Sequence, residues 1–256
     1  MDKNIKPQIS IITLTKNRVD FISKAIDSVL AQSFSDWELI IIDNGSIDNT
    51  KQIVENFANK DVRIKYTNST AEGIPRNRNL GLSLAKGKYI AVLDSDDEWT
   101  DKDKLQKQFN YLENNPDYVF IGSNIKIVDE KGNFIKNTSF KTENADIRKK
   151  ILISNQIPHS TVMYIKNLSD KIGGYNNKLS CVEDLDLFLR LGNLGKIKNL
   201  EEITTSYTKH SGGISYKRKL AMAWNHFKIV FRNFGKYPNW FQAIVFAKLR
   251  IIKNLF

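Results

Sequence analysis

The chain is poor in the residues that would commit it to several common designs. A single cysteine, Cys181, permits no internal disulfide framework, so a reducing compartment is expected. No stretch reaches the roughly 20 apolar residues of a membrane span. The first seven residues contain no apolar segment of the kind a signal peptide needs, so none is expected there. Neither G-x-G-x-x-G nor the P-loop pattern occurs, which removes the two common glycine-rich phosphate cradles. Acids are missing altogether after Glu202, while ten lysines and arginines follow it. Nearly all of the net charge of +11 therefore sits in the last fifth of the chain. Such asymmetry calls for a polyanionic partner, either an anionic membrane surface or a nucleic acid.

The 256 residues that are present can bury a substantial core. Residues 8–13, 37–42, 62–66 and 89–93 read as strands, short β-rich or apolar runs. Between them, Phe21, Ile22, Ala25, Ile26, Val29 and Leu30 recur with helical spacing. Ile53, Val54, Phe57 and Ala58 mark a second helix after the start signal Asp48-Asn49-Thr50, and residues 76–86 a third, closed by Gly87. This βαβα rhythm predicts an α/β fold with a parallel sheet and flanking helices. Further on, the pattern predicts a helix through Leu105, Phe109 and Leu112, a strand at 118–121 and a hairpin turning at 129–133. A strand at 160–164, an amphipathic helix over 183–194 and two helices joined near 235–238 complete the reading.

Chemistry collects at the predicted strand ends. Asp94, Ser95, Asp96 and Asp97 follow the fourth strand, where carboxylates repel one another unless a cation lies between them. Hard oxygen ligands suit a divalent cation and the phosphates it bridges. In open α/β sheets, ligands bind beyond the carboxyl ends of the strands. The competing reading is that Asp96, Asp97 and Glu98 cap a helix over 102–114. The second strand ends in Asp43-Asn44-Gly45-Ser46 with Asp48 close behind, groups that can pair with a nucleobase edge or ribose hydroxyls. The first ends in Thr13-Leu14-Thr15-Lys16-Asn17-Arg18 and faces the same crevice. Arg76 and Arg78 stand at a helix start, suited to a base, a ribose or a phosphate.

Together these residues resemble the inverting family 2 glycosyltransferases of the GT-A fold, of the bacterial polysaccharide type, over roughly residues 8 to 215. The likeness rests on Ser10-Ile11-Ile12 with Asn17-Arg18, Asp43-Asn44-Gly45-Ser46 with Asp48, Arg78-Asn79, Leu93-Asp94-Ser95-Asp96-Asp97 and Glu183-Asp184. It implies a Rossmann-like, mostly parallel sheet with flanking helices plus a C-terminal helical appendage. Residues 1–214 would be the catalytic domain, its donor half about 1–98 and its acceptor half about 99–214, with 215–256 a basic, aromatic helical tail. It implies a nucleotide-sugar donor, a UDP-sugar first. Leu14, Thr15, Asp43, Asn44 and Arg78 would hold the nucleoside, Asp94 and Ser95 its ribose, and Asp96 a Mn²⁺ or Mg²⁺ on the diphosphate. His210 would approach that metal or diphosphate, or close over the donor. Asp184 would be the general base and Glu183 would bind acceptor hydroxyls. Asp186 reads as an ordinary helix-start acid, His159 as a structural histidine, Cys181 as a packing residue and Asp97 as a cap or a support of its neighbours. Two departures from the family pattern leave the nucleobase open: Asn44 stands where many members have a second aspartate, and Leu14 where they have a proline.

In the tail, Trp224, Phe227, Phe231, Phe234, Trp240 and Phe241 interleave with cations, a pattern suited to a membrane interface. These apolar residues could instead pack on the catalytic domain or form a homodimer contact. The resemblance favours a cytoplasmic enzyme, peripheral on the inner face of the cell membrane, acting on a glycan acceptor that is lipid-linked, with no nucleic acid expected. Its rivals are a sugar-nucleotide pyrophosphorylase, which would carry a glycine-rich, arginine-containing loop at 13–18, and a nucleic-acid-binding module using the basic tail.

Overall fold

Strands β1 (Ile9–Thr15), β2 (Trp37–Asp43), β3 (Ile64–Asn68) and β4 (Tyr89–Val92) are parallel neighbours in the order β3-β2-β1-β4. The computed structural model that shows this describes residues 6–210 and 218–255. Helices α1 (Ile22–Leu30), α2 (Thr50–Ala58) and α3 (Ile74–Leu84) make the crossovers. Successive side chains of a strand face opposite sides of the sheet. Accordingly Ile12, Ile90 and Val92 enter one apolar cluster, while Ile9, Ile11, Tyr89 and Ala91 enter the other. Covered on both faces, these strands read as continuous apolar runs.

The sheet continues β8-β6-β9-β5 beyond β4 and becomes mixed rather than mostly parallel. Strands β5 (Glu98–Trp99), β6 (Tyr118–Asp129), β8 (Met163–Ile165) and β9 (Lys196–Lys209) build this half. Here β8 runs antiparallel to β4 and β6, β5 runs antiparallel to β9, and β6 and β9 are parallel. The strand expected at 118–121 and the first arm of the hairpin expected to turn at 129–133 are one 12-residue strand. Its hairpin to β7 (Phe134–Asn137) turns as expected, with Asp129 N donating to Asn133 O at 2.9 Å. The strand expected over 160–164 begins at Met163, because residues His159–Thr161 wind into a 3-10 turn. Strand β9 has no counterpart in the sequence reading.

Other boundaries moved for local reasons. β3 begins at Ile64, and Val62 is 91% exposed in the turn before it. α3 starts at Ile74, two residues early, with Pro75 in the first turn where its missing N–H costs nothing. Gly87 does not close that helix. It lets two strands meet, since a Cβ there would lie 2.5 Å from Ser10 N. Helix α4 (Lys104–Asn114) has no side-chain cap, and Glu98 lies in β5, so the capping reading of the acidic cluster fails.

Helices α5 (Asn144–Lys150), α6 (Lys166–Lys171) and α7 (Glu183–Gly192) flank the second half, α7 ending before the predicted 194. Two further helices, α8 (Lys219–Arg232) and α9 (Trp240–Lys253), follow where two were expected. Their residues Ile229, Val230, Ala243 and Ala247 share one apolar cluster with Leu185, Leu187 and Leu191 of α7. Tyr237 Oη donates to Leu189 O at 2.9 Å, and Arg232 reaches Asp186 at 3.1 Å. Phe231, Phe241, Val245 and Leu249 face outward, Phe241 being 75% exposed. Among the described residues, no helix is long and apolar enough to cross a membrane. Several expectations lie outside the described residues: the absent signal peptide over residues 1–5, the glycine flank of His210, the domain boundary at 214–215 and the cation Lys217.

Candidate functional site

The loops leaving β1 and β2 are tied together where those strands end. Asn17 N donates to Ser46 Oγ at 2.9 Å, Ile47 N to Asn17 Oδ1 at 2.9 Å, and Arg18 N to Thr50 Oγ1 at 2.8 Å. Asp48 accepts from Val19 N and Thr50 N. Polar residues that look like scattered turn formers are thus one scaffold. It opens onto a cavity of about 1100 Å³ beyond the carboxyl ends of the parallel strands.

Leu14, Thr15, Asn44, Arg78, Asp94, Ser95 and Asp96 line one side of this cavity, and Glu183 and Asp184 line it as well. Asp43 does not. Its carboxylate accepts from Ser46 N and Oγ at 2.9 and 2.7 Å and from Tyr66 Oη at 3.0 Å, so it shapes the loop behind Asn44. Arg76 is exposed and also off the cavity, whereas Arg78 is buried in its wall and paired with Asp94. Burial alone would raise the Asp94 carboxyl, but Arg78 holds it below the ordinary value. The Arg78 Nε and Nη1 atoms and Thr15 Oγ1 are buried without a hydrogen-bond partner. Unmet buried donors are costly, at about 1–3 kcal/mol each, and their place in a cavity wall points to a polar ligand.

Asp96 sits between Arg18 and His210. Its Oδ2 accepts from Arg18 Nε at 3.3 Å and lies 2.8 Å from His210 Nε2. The His210 ring stacks on Phe21, with centroids 5.7 Å apart. One carboxylate and one imidazole suit a divalent cation that takes its other ligands from phosphate and water. Among the described residues no group of three or more His, Cys, Asp or Glu side chains forms a metal cage. Asp97 faces away from this point. It accepts from Ser160 Oγ and from Thr208 N, pinning the cluster to β9, and its burial, with Asp96 and Asp94 nearby, pushes its carboxyl well above the usual range. It therefore supports its neighbours and caps no helix. His159 is buried, 2.9 Å from Tyr175 Oη, and burial followed by the Arg78 charge lowers it to about 3, so it stays neutral. Asn79 clamps the segment before α7, bonding both N and O of Tyr175 at 2.8 Å.

Glu183 and Asp184 open α7 behind Val182, whose φ of 63° is a left-handed conformation unusual for a β-branched residue. Such a conformation costs roughly 1–3 kcal/mol and persists only where the surroundings enforce it. Burial first, then Asp184, raises the Glu183 carboxyl to about 7. Asp184 is also raised, by burial and then by Asp94, while the Leu185 N–H and Arg78 oppose the shift. Asn155 Nδ2 donates to Asp184 Oδ2 at 3.2 Å. Asp186 turns the other way, buried and paired with Arg190 at 2.8 Å and with Arg232, so it anchors α8 to α7. Cys181 is buried and within 3.4 Å of Asn225 Nδ2, a packing position.

Several lining residues carry no sequence signal. Asn155 lies in a loop, while Lys219, Met222 and His226 of α8 and Arg250 of α9 join the cavity only by tertiary packing.

The family profile described as Glycosyl transferase family 2 matches residues 10–171, more than half of the chain. A glycosyltransferase of Haemophilus influenzae is 33% identical over 98% of this chain and 93% of its own length. Another, of Methanocaldococcus jannaschii, is 32% identical over 79% and 71%. The chain spans only a third or less of several longer relatives. Among solved structures, S. aureus TarS in complex with UDP-GlcNAc superposes with a TM-score of 0.73 at 20% identity, covering 96% of this chain and 73% of that one. The mannosyltransferase PcManGT of Pyrobaculum calidifontis, in complex with GDP-Man and Mn²⁺, gives 0.68 at 18% identity, covering 98% and 71%. These two share the GT-A architecture with this chain. With its strand-end cavity and these relatives, the chain belongs to glycosyltransferase family 2 and is a glycosyltransferase.

Proposed function

We propose that the enzyme moves one sugar from a nucleotide-sugar donor, a UDP-sugar first, to a hydroxyl of a glycan acceptor with inversion, in cell-surface polysaccharide or lipid-linked oligosaccharide assembly. The observation that carries this reading is a single cavity lined both by Arg78, Asp94 and Asp96 and by the Glu183–Asp184 pair. Further support comes from the fold's likeness to proteins bound to UDP-GlcNAc and to GDP-Man with Mn²⁺.

Leu14, Thr15, Asn44 and Arg78 would hold the nucleoside, with Asp43 keeping the Asn44 loop in place. Asp94 and Ser95 would take the ribose, and the buried unmet donors of Arg78 would be satisfied by donor oxygens. Asp96 and His210 would hold Mn²⁺ or Mg²⁺, which when bound supplies positive charge opposite the leaving diphosphate. Asp184 would accept the proton of the acceptor hydroxyl as that oxygen bonds to the anomeric carbon. The bond from that carbon to the diphosphate oxygen breaks on the opposite face, and the nucleoside diphosphate leaves with the electron pair. Glu183, near half-protonated at neutral pH, can donate a hydrogen bond to an acceptor hydroxyl as well as accept one.

The outward aromatic and basic face of α8 and α9 would rest on an anionic leaflet, holding the enzyme at the inner face of the membrane where a lipid-linked glycan ends. The donor reading is tested by screening nucleotide sugars for thermal stabilisation with Mn²⁺ present. A UDP-sugar should raise the melting temperature by mass action. If no nucleotide sugar stabilises the chain, the donor assignment falls.

A further inference from the structure

The cavity does not end at Asp184. It continues to a wall made by the two C-terminal helices, where Lys219, Met222 and His226 of α8 meet Arg250 and Asn254 of α9. Two arginines nearer the strand ends pair with carboxylates, Arg18 with Asp96 and Arg78 with Asp94. Arg250 differs. Among the described residues no carboxylate pairs with it: its Nη2 donates to Ile153 O at 3.0 Å, and its Nη1 lies 3.4 Å from His226 Nδ1.

The histidine contact fixes the arrangement. His226 Nε2 lies 2.9 Å from Leu152 O, and a carbonyl only accepts, so Nε2 carries the proton. Nδ1 is then a lone pair facing Arg250 Nη1, which donates to it. His226 is buried, and burial followed by the Arg250 charge lowers it to about 4, so it stays neutral across the working range. A guanidinium has five N–H groups. Here a neutral imidazole and a carbonyl take two, orient the plane and leave the positive charge whole. A cation positioned by neutral partners at a cavity wall is arranged for an anion that arrives with a ligand.

We propose that Arg250 binds a phosphate group carried by the acceptor, with His226 as its positioning residue and Lys219 as a neighbouring cation. The inference rests on the glycosyltransferase reading of the cavity and adds the chemical class of the acceptor. The acceptor's hydroxyl points to Asp184 and its phosphate to the α8–α9 wall. The same two helices present the exposed aromatic face, so a phosphate joining a glycan to a lipid would arrive from that side. A phosphate within the glycan itself offers the same chemistry.

The test uses the full chain saturated with UDP and Mn²⁺, which occupies the donor side, and isothermal titration with phenyl phosphate, decyl phosphate and phenyl glucoside. Both phosphates should bind and the glucoside should not. Arg250→Met should weaken phosphate binding at least tenfold, and Arg250→Lys should restore part of it, while UDP binding stays unchanged in both. Tighter binding of decyl than of phenyl phosphate assigns the group to a lipid link, and equal binding to the glycan. If UDP with Mn²⁺ gives no binding heat, the reading of the cavity itself fails. If UDP binds but phenyl phosphate binds the Arg250→Met variant as it binds the parent chain, or the glucoside binds as well as the phosphates, the phosphate subsite alone is overturned.

Discussion

Glu183 and Asp184 are neighbours in sequence in different surroundings, which makes their roles separable. Asp184 receives a hydrogen bond from Asn155, and the Leu185 N–H favours its ionised form. The Asp184→Asn variant should lose transfer by three orders of magnitude or more, roughly the size of general-base effects and beyond, and keep donor binding within about twofold. Full activity in that variant would remove Asp184 from the reaction. Glu183 makes a different prediction through stability. Its carboxyl rises from an ordinary 4.5 to about 7 on folding, so between those values the folded state binds the extra proton. That contribution is fully present below about pH 4.5 and is lost as pH climbs through 7. Glu183→Gln should therefore be more stable relative to the parent at pH 8 than at pH 5, by on the order of 1–3 kcal/mol in denaturant titrations. An unchanged difference across that range would mean that Glu183 ionises freely. At Asp96, the 2.8 Å approach of His210 predicts that His210→Ala raises the Mn²⁺ concentration needed for half-maximal activity by roughly tenfold or more. EDTA should stop turnover of the parent enzyme, and activity that survives chelation would exclude the cation.

The elements are held by close approaches that leave little slack. Gly87, just before β4, lies so close to β1 that any Cβ would meet the Ser10 backbone. Backbone cannot swing aside as a side chain can, so Gly87→Ala should cost about 2–4 kcal/mol, read from the denaturation midpoint, with an unaltered midpoint disproving the clash. The acidic start of α7 is aimed by the left-handed Val182 and by Asn79, which clamps the preceding segment. Helices α8 and α9 are fastened to α7 through Asp186 and Tyr237.

At the scale of the molecule, the two C-terminal helices face two ways. One side packs into the apolar cluster that also holds Leu185, Leu187 and Leu191 of α7, and the other exposes Trp224, Phe231, Phe234, Phe241 and Phe246 among basic residues. Sedimentation with vesicles should separate the possible polyanions. Binding to anionic vesicles should exceed binding to neutral ones and survive moderate salt, because buried aromatic area adds to charge. Binding to RNA driven by phosphates alone should collapse between about 50 and 200 mM salt. Salt-resistant RNA binding without vesicle binding would overturn the membrane assignment, and binding to neither would leave the outward face to a second copy of the chain.

How much of this was legible followed from range. The parallel half of the sheet, its crossovers and the residues at its strand ends could be read from the sequence, because strand periodicity and strand-end chemistry are local and compact. The order Asp94, Asp96, Glu183-Asp184 carried the family resemblance, and with it the expectation of a donor side and a base, before any geometry was known. β9 could not be read, because its buried positions include Asn199, Thr204, Thr205 and Ser206, polar side chains that only tertiary hydrogen bonds make tolerable. Asp43 and Asn44 are adjacent in the chain, yet only packing shows one behind the loop and the other in the cavity. Sequence determined the family, the α/β alternation and the acidic clusters. Tertiary structure decided that a basic tail, read from the chain as an appendage, forms a wall of the strand-end cavity with His226 and Arg250, because contacts between residues so far apart in the chain leave no periodic trace in it.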